Sequence, residues 1–271
     1  MDIGTGLALF GAKDLIIKLL GPTSEYLGKS AEAFSKKRID NIKSIFNKAA
    51  KKLGNKLDQP GGVPSKILKG IIDDGGFCED EISAEYYGGV LASSRSGVSR
   101  DDRAVVFLSL LARMSSYQIR SHYVFYSSFW KVHKGRGLNI GIDVDRGQLG
   151  TFIPTHEYIS AMDFSSSESL SLILGHVLYG LNREGLISEF SSTGKLPLEP
   201  ENELRITFMP TVVGLELYLF AHGISDQSTA DILKSMITIP MIPGILLPEH
   251  ASRGKLAPLS FPHVPQQMEK V

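Results

Sequence analysis

The chain has 271 residues, and its 29 basic and 29 acidic side chains cancel to zero formal charge. That length supports one large domain or two modest ones with a substantial buried core, and the charge balance excludes a global pull toward nucleic acid, so polyanion binding would need a local patch. One cysteine, Cys78, excludes an intrachain disulfide and a cysteine-rich zinc site, and the pattern fits a cytoplasmic setting.

The opening stretch MDIGTGLALFGAKDLIIKLLG has no basic run ahead of its apolar residues. Lys13, Asp14 and Lys18 interrupt it well short of the roughly 20 apolar residues a membrane span requires, so it reads as neither signal peptide nor span. Leu9, Ala12, Leu15, Ile16 and Leu19 recur at helical spacing, which leaves an amphipathic helix that lies on a membrane or packs within the protein or its oligomer. A second helix is expected after Gly21-Pro22, ending near Gly54, with Leu27, Ala31, Phe34, Ile42, Ile45, Phe46 and Leu53 in one stripe. Opposite lie Lys36, Lys37, Arg38, Lys43, Lys48, Lys51 and Lys52, the one clearly basic surface. Such a face is either solvated, in contact with anionic lipid, or in contact with a phosphate backbone. Aromatic residues do not alternate with these cations, which argues against a single-strand stacking platform. Residues 1–59 thus read as an N-terminal amphipathic helical region.

Residues 60–134 read as a helical core. DQPGGVPSK makes a turn, and Pro64 opens a short helix carrying Ile67, Leu68, Ile71 and Ile72. In EDEISAEYYGGVLASS the acids Glu79, Asp80 and Glu81 sit at the amino end, where capping explains them better than a metal does, and Gly88-Gly89 permits close approach of another helix. RAVVFLSLLARM is expected to turn Val105, Leu108, Leu111 and Ala112 inward. Ser115 and Gln118 have capping-box spacing for a helix whose Ile119, Tyr123, Tyr126 and Trp130 form a core stripe. His122 and His133 on that run invite an acid-base role, yet no serine or cysteine nucleophile turn accompanies them, and they read as structural or surface histidines.

Residues 135–162 change pattern. Leu138, Ile140, Ile142 and Val144 alternate among glycines, as in a short hairpin or an irregular insertion, with Asp143 and Asp145 on one side of such a strand. The spacing does not complete a calcium loop, Gly135-Arg136-Gly137 is too short for a phosphate loop, and His156-Glu157 lacks the second zinc histidine because position 160 is Ser.

Residues 163–223 have the outline of a winged-helix-like module. Ser165 and Glu168 suggest a capping box, Leu170, Leu174, Val177, Leu178 and Leu181 a stripe, and Gly185 a left-handed stop before a strand at Leu186-Ile187. SSTGKLPLEPEN would be the wing, Leu204, Ile206 and Phe208 the second strand, and Pro210 the start of a closing helix. Against duplex nucleic acid, His176, Tyr179, Asn182 and Arg183 would face the major groove and Lys195 a phosphate. Glu184 and Glu189 oppose them, so a structural or protein-binding use is expected ahead of DNA recognition. In the Pro-rich tail, 224–271, prolines at 240, 243 and 248 predict an extended segment across the body or a neighbouring subunit, with a less ordered end. The fold class is mainly α with a small β component, a helical N-terminal region and this C-terminal module.

The strings GVPSKILKGIIDD, EISAEYYGGVLASS, LLARMSSYQIR, LNREGLISEF and LRITFMPTVVG, in that order, make residues 1–223 resemble the abortive-infection alpha family of bacterial and prophage proteins. The resemblance implies a role in defence against phage, through halting the infected cell, and brings no catalytic residues with it. The sequence therefore predicts a non-enzymatic defence protein without cofactor or metal, acting through self-association or a protein partner. A membrane-disrupting effector using the N-terminal helices, with peripheral membrane contact on activation, and a nucleic-acid-binding regulator are the alternatives. A hydrolase is a further alternative and would have to assemble His122, Tyr126, Asp143 or His156 from distant positions.

Overall fold

The computed structural model describes residues 36–78, 80–98, 100–192 and 204–254. The N-terminal stripe at Leu9–Leu19 and the expected helix turns carrying Leu27, Ala31 and Phe34 lie outside the described residues. So do Lys195 and the wing at 193–203.

Helix α1 (Lys36–Leu53) buries Ile42, Ile45, Phe46, Ala49 and Leu53, which lie on one face at a 3.6-residue period. Helix α2 (Ser65–Asp73) starts directly after Pro64, whose fixed φ suits the first turn and whose missing N–H is no loss there, and buries Ile67, Leu68, Ile71 and Ile72. Helix α3 (Glu81–Ser93) begins with the Asp80 carboxylate accepting the Ser83 N–H at 2.8 Å, so the acidic start is the cap expected. Every residue of α3 from Ile82 to Ser93 is buried. Its two glycines serve two neighbours. A Cβ on Gly88 would stand 3.0 Å from the Ile45 carbonyl oxygen of α1, and one on Gly89 would overlap the Ala221 backbone.

Helices α4 (Val105–Arg113) and α5 (Ser116–His133) complete the helical body. On α4 the inward residues are Phe107, Leu108, Leu110 and Leu111, whereas Ala112, expected inside, is exposed because the buried arc is displaced toward Phe107 and Leu110. The Ser115–Gln118 capping box is formed, and residues 121–130 of α5 are all buried.

Of the two forms expected within 135–162, a short hairpin or an irregular insertion, the irregular one is found. The segment makes turns and a short helix α6 (Asp143–Arg146), leaving Ile142 and Val144 exposed. Local polar bonds prevail over the alternation. Asp145 accepts the Asn139 N–H at 2.9 Å and Asp143 pairs with Arg146. The segment's strand is instead β1 (Thr151–Pro154), followed by α7 (Thr155–Met162), α8 (Leu170–Arg183), β2 (Ile187–Ser191), β3 (Arg205–Pro210) and α9 (Val212–Ala221). With β4 (Ser252–Arg253) these make an antiparallel sheet in the order β2-β3-β1-β4, in which Thr151 stands opposite Phe208 and Phe152 opposite Thr207. The sheet therefore crosses the boundary expected at 162.

Two helix starts differ from expectation. Glu168 accepts the Ser165 N–H at 2.6 Å, one half of a capping box, but α8 begins only at Leu170. Pro210 ends β3, and α9 is capped by Thr211, whose hydroxyl accepts the Gly214 N–H at 3.0 Å. Gly185, at φ +70°, makes the expected left-handed turn between α8 and β2. The tail beyond α9 forms a 3-10 turn (Thr229–Lys234) and then runs extended across the body, burying Ile239 and Ile242.

Because an atom added at Gly89 meets backbone that cannot rotate away, Gly89→Ala is expected to lower unfolding stability in urea by about 2–3 kcal/mol. Gly97→Ala, where a Cβ meets nothing within 4 Å, is the control and should stay within about 0.5 kcal/mol.

Candidate functional site

Helix α8 has two dissimilar faces. Val177, Leu178 and Leu181 are buried, and Gly180 lets α8 cross α5 so closely that a Cβ would overlap the Gln118 side-chain amide. On the other side Leu172, His176, Tyr179 and Arg183, at positions i, i+4, i+7 and i+11, form a ridge along the helix. Leu172 is 74% and Tyr179 71% exposed, large values for residues of this size and apolarity. Tyr179 also meets Phe190 of β2 edge to face, with ring centroids 5.2 Å apart, so the apolar surface continues from the helix to the sheet.

The polar residues around this ridge are partly committed. His176 Nε2 lies 2.9 Å from the Ser115 hydroxyl. Glu184 accepts from Arg113 at 2.8 Å and from Arg183 at 3.3 Å, and these arginines hold its carboxyl below the usual range. Asn182, expected to read a groove, instead donates its side-chain amide to the Ile187 and Ser188 carbonyls at 3.1 and 2.7 Å. It clips α8 to β2 and is not a contact residue. Of the five residues expected to touch nucleic acid, His176, Tyr179 and Arg183 share the ridge, Asn182 turns to the strand, and Lys195 lies outside the described residues. A ridge of leucine, tyrosine, histidine and one arginine resembles the core of a protein interface more than a phosphate-binding surface.

The basic face of α1 is not continuous. Lys48 bridges Glu81 and Glu85 of α3, standing 2.9 Å from Glu85, and Lys52 also pairs with Glu85. Burial raises the Glu85 carboxyl, but its two lysine partners outweigh this and hold it below the usual range. Burial likewise lowers Lys48, and Glu81 and Glu85 reverse that to a net rise. The Arg38 guanidinium sits 4.0 Å over the Phe77 ring and donates to the Asp73 carbonyl at 3.4 Å. Arg38, Lys48 and Lys52, expected on an open basic surface, thus fasten α1 to its neighbours. Lys37 and Lys51 remain exposed and Lys43 half-buried, while the Lys36 side chain lies outside the described set. The sequence carried a signal for this pairing: Lys48 and Lys52 on one helix, and Glu81 and Glu85 on another, share four-residue spacing.

The interior histidines are structural. His122 Nε2 stands 3.0 Å from the Gly214 carbonyl, which can only accept, so Nε2 carries the proton and Nδ1 accepts from the Tyr86 hydroxyl at 2.7 Å. Burial lowers the His122 imidazole to about 3, although its bond to Gly214 opposes the shift. Tyr126 Oη donates to the Leu186 carbonyl at 2.5 Å and accepts the Thr211 N–H at 3.0 Å, joining α5 to both ends of the β2–β3 unit. Burial, and then Arg136 beside it, lowers His133 to about 3; burial lowers His222 to about 4. His222, which sequence reasoning passed over, donates Nδ1–H to the Tyr218 carbonyl at 2.7 Å.

These groups do not assemble a reaction centre. His122 and Tyr126 are in the core, Asp143 is exposed on α6, and His156 is exposed on α7 beside Glu157. Among the described residues no group of three or more His, Cys, Asp or Glu is placed to hold a metal ion. Also among the described residues, no helix is long and apolar enough to cross a membrane. No known protein family, curated protein or solved structure matches the chain.

Histidines that are neutral when folded take up protons on unfolding, so the unfolded state binds more protons below its histidine pKa of about 6.5. Stability is then full above that pH and falls as pH drops through the window toward 3. Each fully buried histidine contributes a slope of up to about 1.4 kcal/mol per pH unit. Urea midpoints measured from pH 7 to pH 4 should fall steadily, and His122→Asn should flatten the slope.

Proposed function

We propose that this chain is a non-enzymatic binding protein in which α5, β1, α7, α8, β2 and β3 make up a winged helix, with α8 offering its ridge to a protein partner. The order of elements and the sheet order β2-β3-β1 support this reading, since that is how such a module arranges three strands beside a helix pair. The observation that carries the partner assignment is the exposure of Leu172 and Tyr179 along one ridge of a helix whose other face is well buried.

The setting we propose is anti-phage defence by abortive infection, which rests only on the resemblance of the ordered strings to the abortive-infection alpha family. Binding rather than catalysis fits both the ridge and the dispersal of the titratable groups. Nucleic-acid binding is the second reading, favoured by Arg183 on the ridge, and it predicts a salt-dependent mobility shift with duplex DNA that weakens in Arg183→Ala.

Expression in a phage-sensitive bacterial host tests the first reading. The wild-type chain should lower plating efficiency for at least one phage of a panel. Leu172→Glu with Tyr179→Glu should restore plating by about tenfold or more while leaving the unfolding free energy in urea within about 0.5 kcal/mol, as expected for exposed positions. A double variant that protects as well as wild type removes α8 from the reading, and a chain that protects against none removes the defence setting.

A further inference from the structure

A cleft of about 420 Å³ lies where the α2–α3 connection, the start of α3, the end of α4 and the start of α5 meet. That volume is in the range of small-molecule sites. The connection opens with a buried Gly75-Gly76 pair in a 3-10 turn (Gly75–Phe77), and a Cβ on Gly75 would stand 2.7 Å from Ile45 Cδ1, so glycine lets the turn lie against α1. The residues that follow the turn reach the cleft. Leu111, Met114 and Ile119 give it an apolar lining, and Asp74, Cys78, Asp80 and Tyr87 a polar one.

Two of these polar groups are left without a partner. Asp80 is used by the fold, accepting the Ser83 N–H and hydroxyl at 2.8 and 2.7 Å. Burial pushes the Cys78 thiol up to about 12, so it stays neutral and is no nucleophile. Asp74 makes no hydrogen bond or ion pair among the described residues, since the neighbouring Lys69 pairs with Asp73. Tyr87 is only 3% exposed, yet its hydroxyl also bonds to no described residue. The other deeply buried tyrosines, Tyr86, Tyr123, Tyr126, Tyr158 and Tyr218, all bond through theirs, as buried polar groups ordinarily do. Cys78 and Asp74 lie close enough to act on the Tyr87 hydroxyl, and both line the cleft, so the hydroxyl is turned into it.

We propose that this cleft binds a small primary ammonium compound with a short apolar body, whose N–H groups donate to the Asp74 carboxylate and the Tyr87 hydroxyl oxygen while its alkyl part lies against Leu111, Met114 and Ile119. The sign of the ligand follows from the lining. Two carboxylates face the cleft, and among the described residues no lysine, arginine or histidine lines it. The partial positive charges at the starts of α3 and α5, which would favour an anion, are already met by the Asp80 cap and the Ser115–Gln118 box. An ammonium supplies the N–H donors that both unpartnered oxygens can accept, and its charge makes those bonds the stronger kind. The cleft shares no residue with the α8 ridge and stands apart from the function proposed above.

The test is titration of the full chain with butylammonium chloride, followed by nuclear magnetic resonance, with butanol as the neutral match and sodium butyrate as the anionic one. Butylammonium should saturate a single site with a Kd on the order of 1 mM, and the two matches should bind at least about tenfold more weakly. Asp74→Asn and Tyr87→Phe should each weaken butylammonium binding by about tenfold or more, the effect of removing one hydrogen bond to a charged group. Because the Tyr87 hydroxyl has no partner in the fold, Tyr87→Phe should melt no earlier than wild type. Asp74→Asn, at an exposed position, carries the binding test if it does. No saturable binding of butylammonium, equally tight binding of butanol or butyrate, or a folded variant that keeps wild-type affinity would overturn the proposal.

Discussion

Helix α3 has to be surrounded, and the rest of the molecule is arranged to surround it. A helix buried from Ile82 to Ser93 has no face to give to water, so its neighbours must approach until backbones nearly touch. Gly88 and Gly89 make this feasible on two sides at once, toward α1 and toward α9, because neither carries a side chain to hold the partner away. Tyr86 on the same helix reaches His122 of α5, and His122 reaches the carbonyl of Gly214 in α9. Three helices from separate parts of the chain are thereby joined through two side chains, with both ring nitrogens satisfied.

Burial on that scale sets the polar chemistry. Burial keeps His122, His133 and His222 neutral; both ring nitrogens of His122 and His133 find partners in the protein, whereas Nε2 of His222 is buried without a hydrogen-bond partner. The same pressure falls on Glu85, which is tolerated inside because Lys48 and Lys52 of α1 reach it. Groups that in a cleft would be candidates for catalysis are here ties between helices. Large apolar side chains, Leu172 and Tyr179, are left exposed on the outside of α8, and the edge of the sheet is covered by the two residues of β4.

Much of this was legible in the sequence wherever the signal was local. The stripe Ile42 to Leu53, the Pro64 start of α2, the Ser115–Gln118 box and the Gly185 stop all depend on residues within a turn or two of each other. At 135–162 the alternation over Leu138 to Val144 left a hairpin and an irregular insertion both open, and the irregular form prevails where Asp145 and Asn139 accept the N–H groups of Asn139 and Gly141. The strand that does form, β1, is only four residues long and is defined by β3, more than fifty positions away. Along α8 the helical period was legible, and so was the ridge of His176, Tyr179 and Arg183. The turning of Asn182 toward β2 was not, since the carbonyls it serves exist only once the strand is placed.

Composition and periodicity by themselves determined a mainly helical chain with a small sheet, the Ser115–Gln118 cap and the Gly185 stop, and the buried stripes of α1, α2 and α5. These follow from propensities and spacings that act over one or two turns. Tertiary structure alone decided that Lys48 and Lys52 of α1 pair with α3, that β1 completes the sheet, and that the tail closes its edge. Each of those depends on bringing residues from distant parts of the chain within a few ångströms, which no local pattern encodes.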